Sequence, residues 1–349
     1  MNVRPILQAL SRAAEARMIV FGDYTLDKYL YIDPSRDEPS VETGLTAYQV
    51  HEKRMYAGSG GTITNNLRAL GAQVISIGLM GEDGEGFELR RCLEAVGADT
   101  ASMVRSPEVC TAVYTKPMRL QPDGTWAEMN RLDFRNFTPP PQDLQARLLE
   151  NLEARLPEAD AVILIDQFCQ RNLGVLTDTV RGEVSRLARR HPEKLFYVDS
   201  RAFSREFRDM IVKCNHLELT AGTPDSGSED PEILERAAER LRRQTGNTFF
   251  VTRGERGMLV LREEGTAQVP AFPVTGPIDI VGAGDASTAG IVLGLTLGLT
   301  PEEAAALGCC VSSITIQQLG VTGTATVPQV CERLRSYGTM FAETGGNQL

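Results

Sequence analysis

The sequence has 349 residues, 42% of them hydrophobic, enough for one large α/β domain with a small appendage or for two modest domains. A formal net charge of -10 and a pI near 5.0 leave no broad basic surface for a nucleic-acid backbone or an anionic membrane, so neither is expected as a partner. Seven scattered cysteines without a Cys-x-x-Cys pair argue against a disulfide framework and against a zinc site.

In chain order, residues 1–17 are amphipathic and partly charged, without the apolar core of a signal peptide. Residues 18–21 read as a first strand ending at Gly22-Asp23, and residues 74–79 as a second, followed by a helix over 87–96. Strands at 162–165, 195–198, 214–217 and 249–252 continue the series, with helices over 173–190 and 231–243 between them. This alternation predicts parallel βαβ units and a central, mostly parallel sheet flanked by helices, with ligands at the carboxyl ends of the strands. Two segments break the rhythm, 29–56 and 112–134, the latter as two strands around a Pro122-Asp123-Gly124 turn. They are expected to rise from the sheet as a small β lid that excludes water. The longest apolar run, 289–299, falls short of the roughly 20 residues a membrane span needs, so a cytoplasmic protein is expected. Residues 1–340 are expected to form one domain, and 341–349 a disordered tail.

The sharpest chemical signal is Asp279-Ile280-Val281-Gly282-Ala283-Gly284-Asp285, followed by a small-residue helical run. Glycines just ahead of a helix let backbone N–H groups converge on an anion, which the helix dipole also favours. Asp285, at the mouth of such a hole, is placed to take a proton from an attacking hydroxyl. A Gly-rich helix start with a capping Asp is the plainer reading of the motif taken alone. Gly81 to Gly86 superficially resembles a dinucleotide fingerprint, but its glycine spacing is wrong and its carboxylates would repel a pyrophosphate, so a turn opening a helix is expected. His51, His191 and His216 are too dispersed for a metal cluster.

The stretch Asp279 to Asp285 resembles the C-terminal signature of the ribokinase-like (PfkB) carbohydrate kinases, and the likeness extends over about residues 18–327. Gly22-Asp23 with Asp27 resembles the first strand end, where acidic side chains bind sugar hydroxyls. Gly58 to Ala72 resembles the N-terminal signature, which implies Gly58, Ser59 and Thr62 at the sugar. Asn215-His216-Leu217-Glu218 resembles the Asn-x-x-Glu motif that holds Mg2+ through water. Thr252-Arg253-Gly254-Glu255-Arg256-Gly257 resembles the strand-turn-strand beside the nucleotide, with Cys310 near the adenine and Arg201 directing charge toward the nucleotide. Residues 320–326 resemble the loop that, with Asp279, binds potassium in some relatives. The resemblance thus implies an ATP- and Mg2+-dependent sugar kinase with the ribokinase-like fold. Gly282, Ala283 and Gly284 would form the anion hole and Asp285 would act as base. It also implies a homodimer paired through the lid.

Asp23 through Tyr31 and Arg131-Leu132-Asp133-Phe134 look most like the heptose 7-phosphate kinase domain of bifunctional ADP-heptose synthases. The nucleotidyltransferase domain that often follows is not expected in this chain. Three departures bear on the acceptor. Ser59 aligns with a usual glycine, Thr62 aligns with a usual asparagine, and Asp166-Gln167-Phe168-Cys169-Gln170 lacks a usual lysine. Arg36 and Arg131 are the candidate clamp for a phosphorylated acceptor, against the alternative of solvated lid charges. A kinase of another sugar or of a nucleoside, and a catalytically silent sugar- or nucleotide-binding protein, remain the rival readings.

Overall fold

The computed structural model describes residues 2–263 and 265–344. Its central sheet has nine strands, in the order Gly265–Val269, Met258–Arg262, Thr248–Thr252, Ile211–Asn215, Leu195–Ser200, Ala161–Asp166, Arg17–Gly22, Gln73–Gly81, Val104–Ser106. The run from Thr248–Thr252 to Val104–Ser106 is parallel, and the two strands beyond it are antiparallel. Strands of such a sheet are buried on both faces, so they carry continuous apolar runs. In Arg17–Gly22, Met18 and Val20 pack with the helices Gly60–Ala69, Ala283–Thr296 and Pro301–Thr315. Ile19 and Phe21 pack on the opposite side, with Gln142–Arg155 and Asp178–Arg190. Each such fully buried side chain contributes about 1.5–3 kcal/mol.

Side-chain caps set several helix starts. Thr177 accepts from the Val180 N–H (3.3 Å), so the helix expected from 173 begins at Asp178. Asp83 accepts from the Gly86 N–H (2.7 Å) and opens Gly84–Ala95, the turn expected at the false fingerprint. The strand expected at 214–217 is shifted to Ile211–Asn215, because Asn215 and Glu218 form a capping box that turns the chain into the helix His216–Thr220. The helices Ala283–Thr296 and Pro301–Thr315 meet at backbone distance, since a Cβ built on Gly290 would lie 2.8 Å from the Gly308 Cα.

A second sheet forms the lid. Tyr24–Ile32 pairs antiparallel with Val50–Ser59 and parallel with Ala112–Leu120, which also carries Trp126–Glu128 and Leu132–Phe134. The lid therefore begins five residues earlier than 29 and runs on to Ser59. It grows from the central strand through Gly22, whose φ of 138° and close approach to the Ile165 carbonyl admit only glycine. The helix Val327–Thr344 runs into the expected tail, and 345–349 lie outside the described residues.

Candidate active site

Gly22, Asp166, Asp199, Asn215 and Thr252 all lie at the carboxyl ends of neighbouring parallel strands, where an open α/β sheet binds its ligands. Gly282, with φ 79°, turns the chain into Ala283–Thr296 without a side-chain cap. Of the three N–H groups expected in the hole, that of Ala283 is spent on the Ile280 carbonyl (3.1 Å). Those of Gly284 and Asp285 have no acceptor among the described residues, which leaves two donors at the positive end of a 14-residue helix. The Asp285 carboxylate is likewise without a hydrogen-bond partner among them. Burial first, and then Asp199, push its pKa to about 7, against the pull of Lys213 and Arg201.

Lys213 lies beneath this turn. A Cβ on Gly284 would stand 3.0 Å from its Nζ, so glycine here makes room for an ammonium. Lys213 donates to Asp199 Oδ2 (2.6 Å), and Thr288 Oγ1 donates to the same oxygen (2.9 Å). Burial opposes the lysine's charge, but Asp199, Glu218 and Asp285 together hold its pKa above the ordinary value. Sequence reasoning missed both Lys213 and Asp199. The available signal was a lysine inside the apolar run Ile211–Asn215, whose burial calls for a partner.

Asn215 Oδ1 accepts from the Glu218 N–H (2.8 Å), and Glu218 Oε2 accepts from the Asn215 N–H (2.9 Å). The capping box thus consumes one oxygen of each, while Glu218 Oε1 has no partner among the described residues. Burial and then Asp199 raise the Glu218 pKa. Hard oxygen donors beside a phosphate site fit a hydrated Mg2+ held partly by the nucleotide. Among the described residues no cluster of three or more His, Cys, Asp or Glu could ligate a metal directly. The Asp279 oxygens accept from the Val281 N–H (3.0 Å) and the Gly320 N–H (3.2 Å), so this carboxylate ties the two loops together. No step below runs through the potassium ion that the resemblance implies at this carboxylate.

The residues expected at the acceptor lie together: Asp27, Gly58 and Ser59 on the paired lid strands, and Thr62 in the helix that follows. Thr25 pairs with Gly58 and Asp27 with Tyr56 across the lid strands, and the Ser59 and Thr25 hydroxyls lie 3.4 Å apart. The Thr62 methyl would lie 3.4 Å from a Cβ on Gly282, which sets the two glycine-rich segments side by side. Asp23 is a correction. Its carboxylate, 2% exposed, accepts from the Gln167 N–H (2.9 Å) and the Val175 N–H (2.7 Å), so it fastens the loop after Ala161–Asp166 and lies almost closed to a ligand. Burial raises its pKa to about 6, and that of neighbouring Asp166 to about 7.

The expected arginine clamp is also corrected. Arg36 is paired with Asp33 (3.0 Å), and Arg131 forms a forked pair with Asp133 (2.6 and 2.8 Å) while lying over the Tyr114 ring. Both are lid charges already matched by a neighbour. Lys116, which sequence reasoning passed over, is buried beside Asp27 instead (3.5 Å).

Thr248–Thr252 and Met258–Arg262 form the expected strand-turn-strand, closed by the Arg253 N–H on the Gly257 carbonyl (2.8 Å). Gly254 and Gly257 take positive φ there, 56° and 79°. Thr252 Oγ1 donates to the Cys214 carbonyl (3.5 Å). Arg253 is 4% exposed and donates to the Arg256 carbonyl (3.4 Å), so it braces this turn and does not face a ligand. Cys310 is fully buried, its thiol turned to the Val330 carbonyl, and cannot touch an adenine. Arg201 is exposed and has no side-chain partner among the described residues. Its charge acts on Asp285, Glu218 and Tyr114, which places it over the cleft between hole and lid.

Fold and site together define a ribokinase-like α/β kinase. The structure aligns with Escherichia coli phosphofructokinase-2 in complex with potassium at a TM-score of 0.71, with 17% identity, over 93% of this chain and 99% of that one. It aligns with Arabidopsis thaliana ribokinase complexed with ribose and ATP at 0.68, with 18% identity, over 92% and 98%. The chain belongs to the pfkB family of carbohydrate kinases, whose model matches residues 19–328, and is therefore a phosphotransferase acting on an alcohol group. It is 28% identical over 337 residues to bifunctional protein HldE of Bradyrhizobium sp. (strain ORS 278), covering 96% of this chain and 66% of that protein. It is 30% identical over 322 residues to the HldE of Nitrobacter hamburgensis, covering 91% and 63%. The chain thus spans just under two thirds of the length of these relatives.

Proposed function

We propose that this chain transfers the γ-phosphate of ATP to a hydroxyl of a sugar or sugar phosphate, with Asp285 as general base. The observation that carries the reading is the unpartnered Asp285 carboxylate beside two unpartnered N–H groups, above the buried Lys213. As the acceptor oxygen bonds to the γ-phosphorus and the bond to ADP breaks, the hydroxyl proton passes to Asp285. The Gly284 and Asp285 N–H groups receive the charge on the transferring oxygens. Asn215 and Glu218 would hold Mg2+ through water, the ion neutralising charge between the β and γ phosphates. Arg201 and the Thr252 to Gly257 turn flank the nucleotide, and the lid covers the acceptor at Asp27, Ser59 and Thr62.

The likeness to the HldE proteins supports a heptose 7-phosphate as acceptor. With Arg36 and Arg131 already paired, Arg201, which has no side-chain partner among the described residues, is a candidate to meet a phosphate on the acceptor. Exposed Val50, Leu132 and Phe134 on the lid support association of two copies through that sheet. Among the described residues no helix is long and apolar enough to cross a membrane.

The test is ADP release with ATP and Mg2+ across ribose, fructose, mannose and heptose 7-phosphate, with wild type and Asp285→Asn. Turnover of at least one acceptor is expected, falling about 10²- to 10⁴-fold in the variant with ATP affinity kept. A variant within about threefold of wild type would remove Asp285 from the base role.

A further inference from the structure

Thr25, Asp27 and Tyr29 alternate onto one face of the lid strand Tyr24–Ile32. The parallel neighbour Ala112–Leu120 sets Tyr114 opposite Asp27 and Lys116 opposite Tyr29, so all five side chains share that face. A Cβ on Gly58 would stand 3.1 Å from Asp27 Oδ1, and the helix that follows sets Thr62 against Gly282, so the face looks onto the cleft. Lys116 Nζ donates to the Tyr29 hydroxyl (2.9 Å), lies 3.5 Å from Asp27 Oδ2 and sits 4.6 Å from the Tyr29 ring centre. An ammonium has three donors, which leaves one N–H without a partner among the described residues. Both side chains of the pair are only 9% exposed.

A buried ion pair seldom adds stability over apolar side chains of similar size. Simple lid packing therefore gives no reason for a lysine here. A pair with a donor left over and a carboxylate beside it offers complementary groups to two adjacent hydroxyls.

We infer that Lys116 determines which acceptor the cleft takes: with Asp27 it forms a donor–acceptor pair that reads two neighbouring hydroxyls on an uncharged, polyol segment of the sugar. The inference rests on the acceptor site proposed above. Lys116 is a positioning and specificity residue that takes no proton from the acceptor. Burial raises the Asp27 pKa; Lys116 pulls against that rise, as does Arg131, while Glu128 adds to it. Tyr29 shares the lysine, and Asp285 feels Asp27 from across the cleft.

The test separates this inference from the kinase reading. The Asp27 carboxyl is followed by carbon NMR against pH in wild type, Lys116→Met and Lys116→Arg, with no acceptor present. The midpoint is expected to move to higher pH in Lys116→Met and back toward wild type in Lys116→Arg. In parallel, whichever of ribose, fructose, mannose or heptose 7-phosphate is turned over is compared with its singly deoxygenated analogues. Lys116→Met should raise the acceptor KM at least tenfold with little change in kcat or in the KM for ATP. The wild type's preference over one deoxy analogue should shrink by at least tenfold. An Asp27 midpoint that stays put overturns the inference whether or not the chain is a kinase. Equal rises in both KM values, or undiminished discrimination against every deoxy analogue, overturn it as well. A chain that turns over no acceptor while the midpoint moves counts against the kinase reading alone.

Discussion

Replacing Lys213 with methionine removes the cation under the anion hole while keeping most of the side-chain volume. Asp199 is left with Thr288 as its remaining hydrogen-bond partner, at a site where the two side chains of the pair are 7% and 15% exposed. Removing one member of a buried pair costs about 3–5 kcal/mol, and the surviving Thr288 bond places the expectation near the lower end, about 3 kcal/mol. The effect on rate is separate. An anion held by the Gly284 N–H would stand roughly 6 Å from Nζ, where unit charges at an effective dielectric of about 20 interact by about 3 kcal/mol. Asp199 cancels part of this, so a loss of about 10- to 100-fold in kcat/KM is expected. Urea unfolding and steady-state ADP release measure the two effects. The double variant Lys213→Met/Asp199→Asn, in which no charge is orphaned, should recover most of the stability and little of the rate. Full recovery of rate in the double variant, or a single variant within about 1 kcal/mol of wild type, would refute the reasoning.

The acid limb of kcat/KM should lie at about pH 7, with activity rising as pH rises and Asp285 loses its proton. Because Lys213 pulls that pKa down, Lys213→Met should move the limb to higher pH, and an unmoved limb would detach the lysine from the base. Glu218→Gln keeps the capping box, which glutamine also satisfies, yet removes a charge near the hydrated metal; the Mg2+ concentration for half-maximal rate should rise with stability nearly unchanged, and an unaltered Mg2+ dependence would place the metal elsewhere. Ser59, at φ 53° and ψ -116°, occupies a conformation that suits glycine. Ser59→Gly should therefore stabilise by about 1 kcal/mol, read as a Tm rise of about 2 °C, and a lower Tm would show that the strain is absent.

The parallel strands and most helices were legible because each buried strand carries an unbroken apolar run and the helices carry their own period. Strand ends were less so where a polar side chain serves two purposes. Asn215 and Glu218 resemble a metal motif in sequence, while their backbone bonds, which shorten the strand, show only in the fold. The glycine turn that opens Ala283–Thr296, with Asp285 in its first turn, was readable because that geometry is local. Asp199 with Lys213, and Asp27 with Lys116, were not, since each pair is assembled from separate strands, 14 and 89 residues apart in the chain. Asp23 failed for the same reason in reverse. Its partners, Gln167 and Val175, arrive from a loop about 150 residues away and bury the carboxylate.

The backbone contact between Gly290 and Gly308 limits how the sequence can drift. A methyl on Gly308 would press on Ile291 Cγ1 at 2.7 Å and on the Ser287 carbonyl at 2.8 Å, one turn from the Asp285 end of that helix. Neither position can gain a side chain unless the two helices part, and parting them would tilt the N–H groups of Gly284 and Asp285 away from whatever they hold. Alanine at either glycine is thus a remote way to detune phosphate binding, leaving every residue that meets a ligand intact. Compensating changes would be sought first in the facing helix, before the cleft itself.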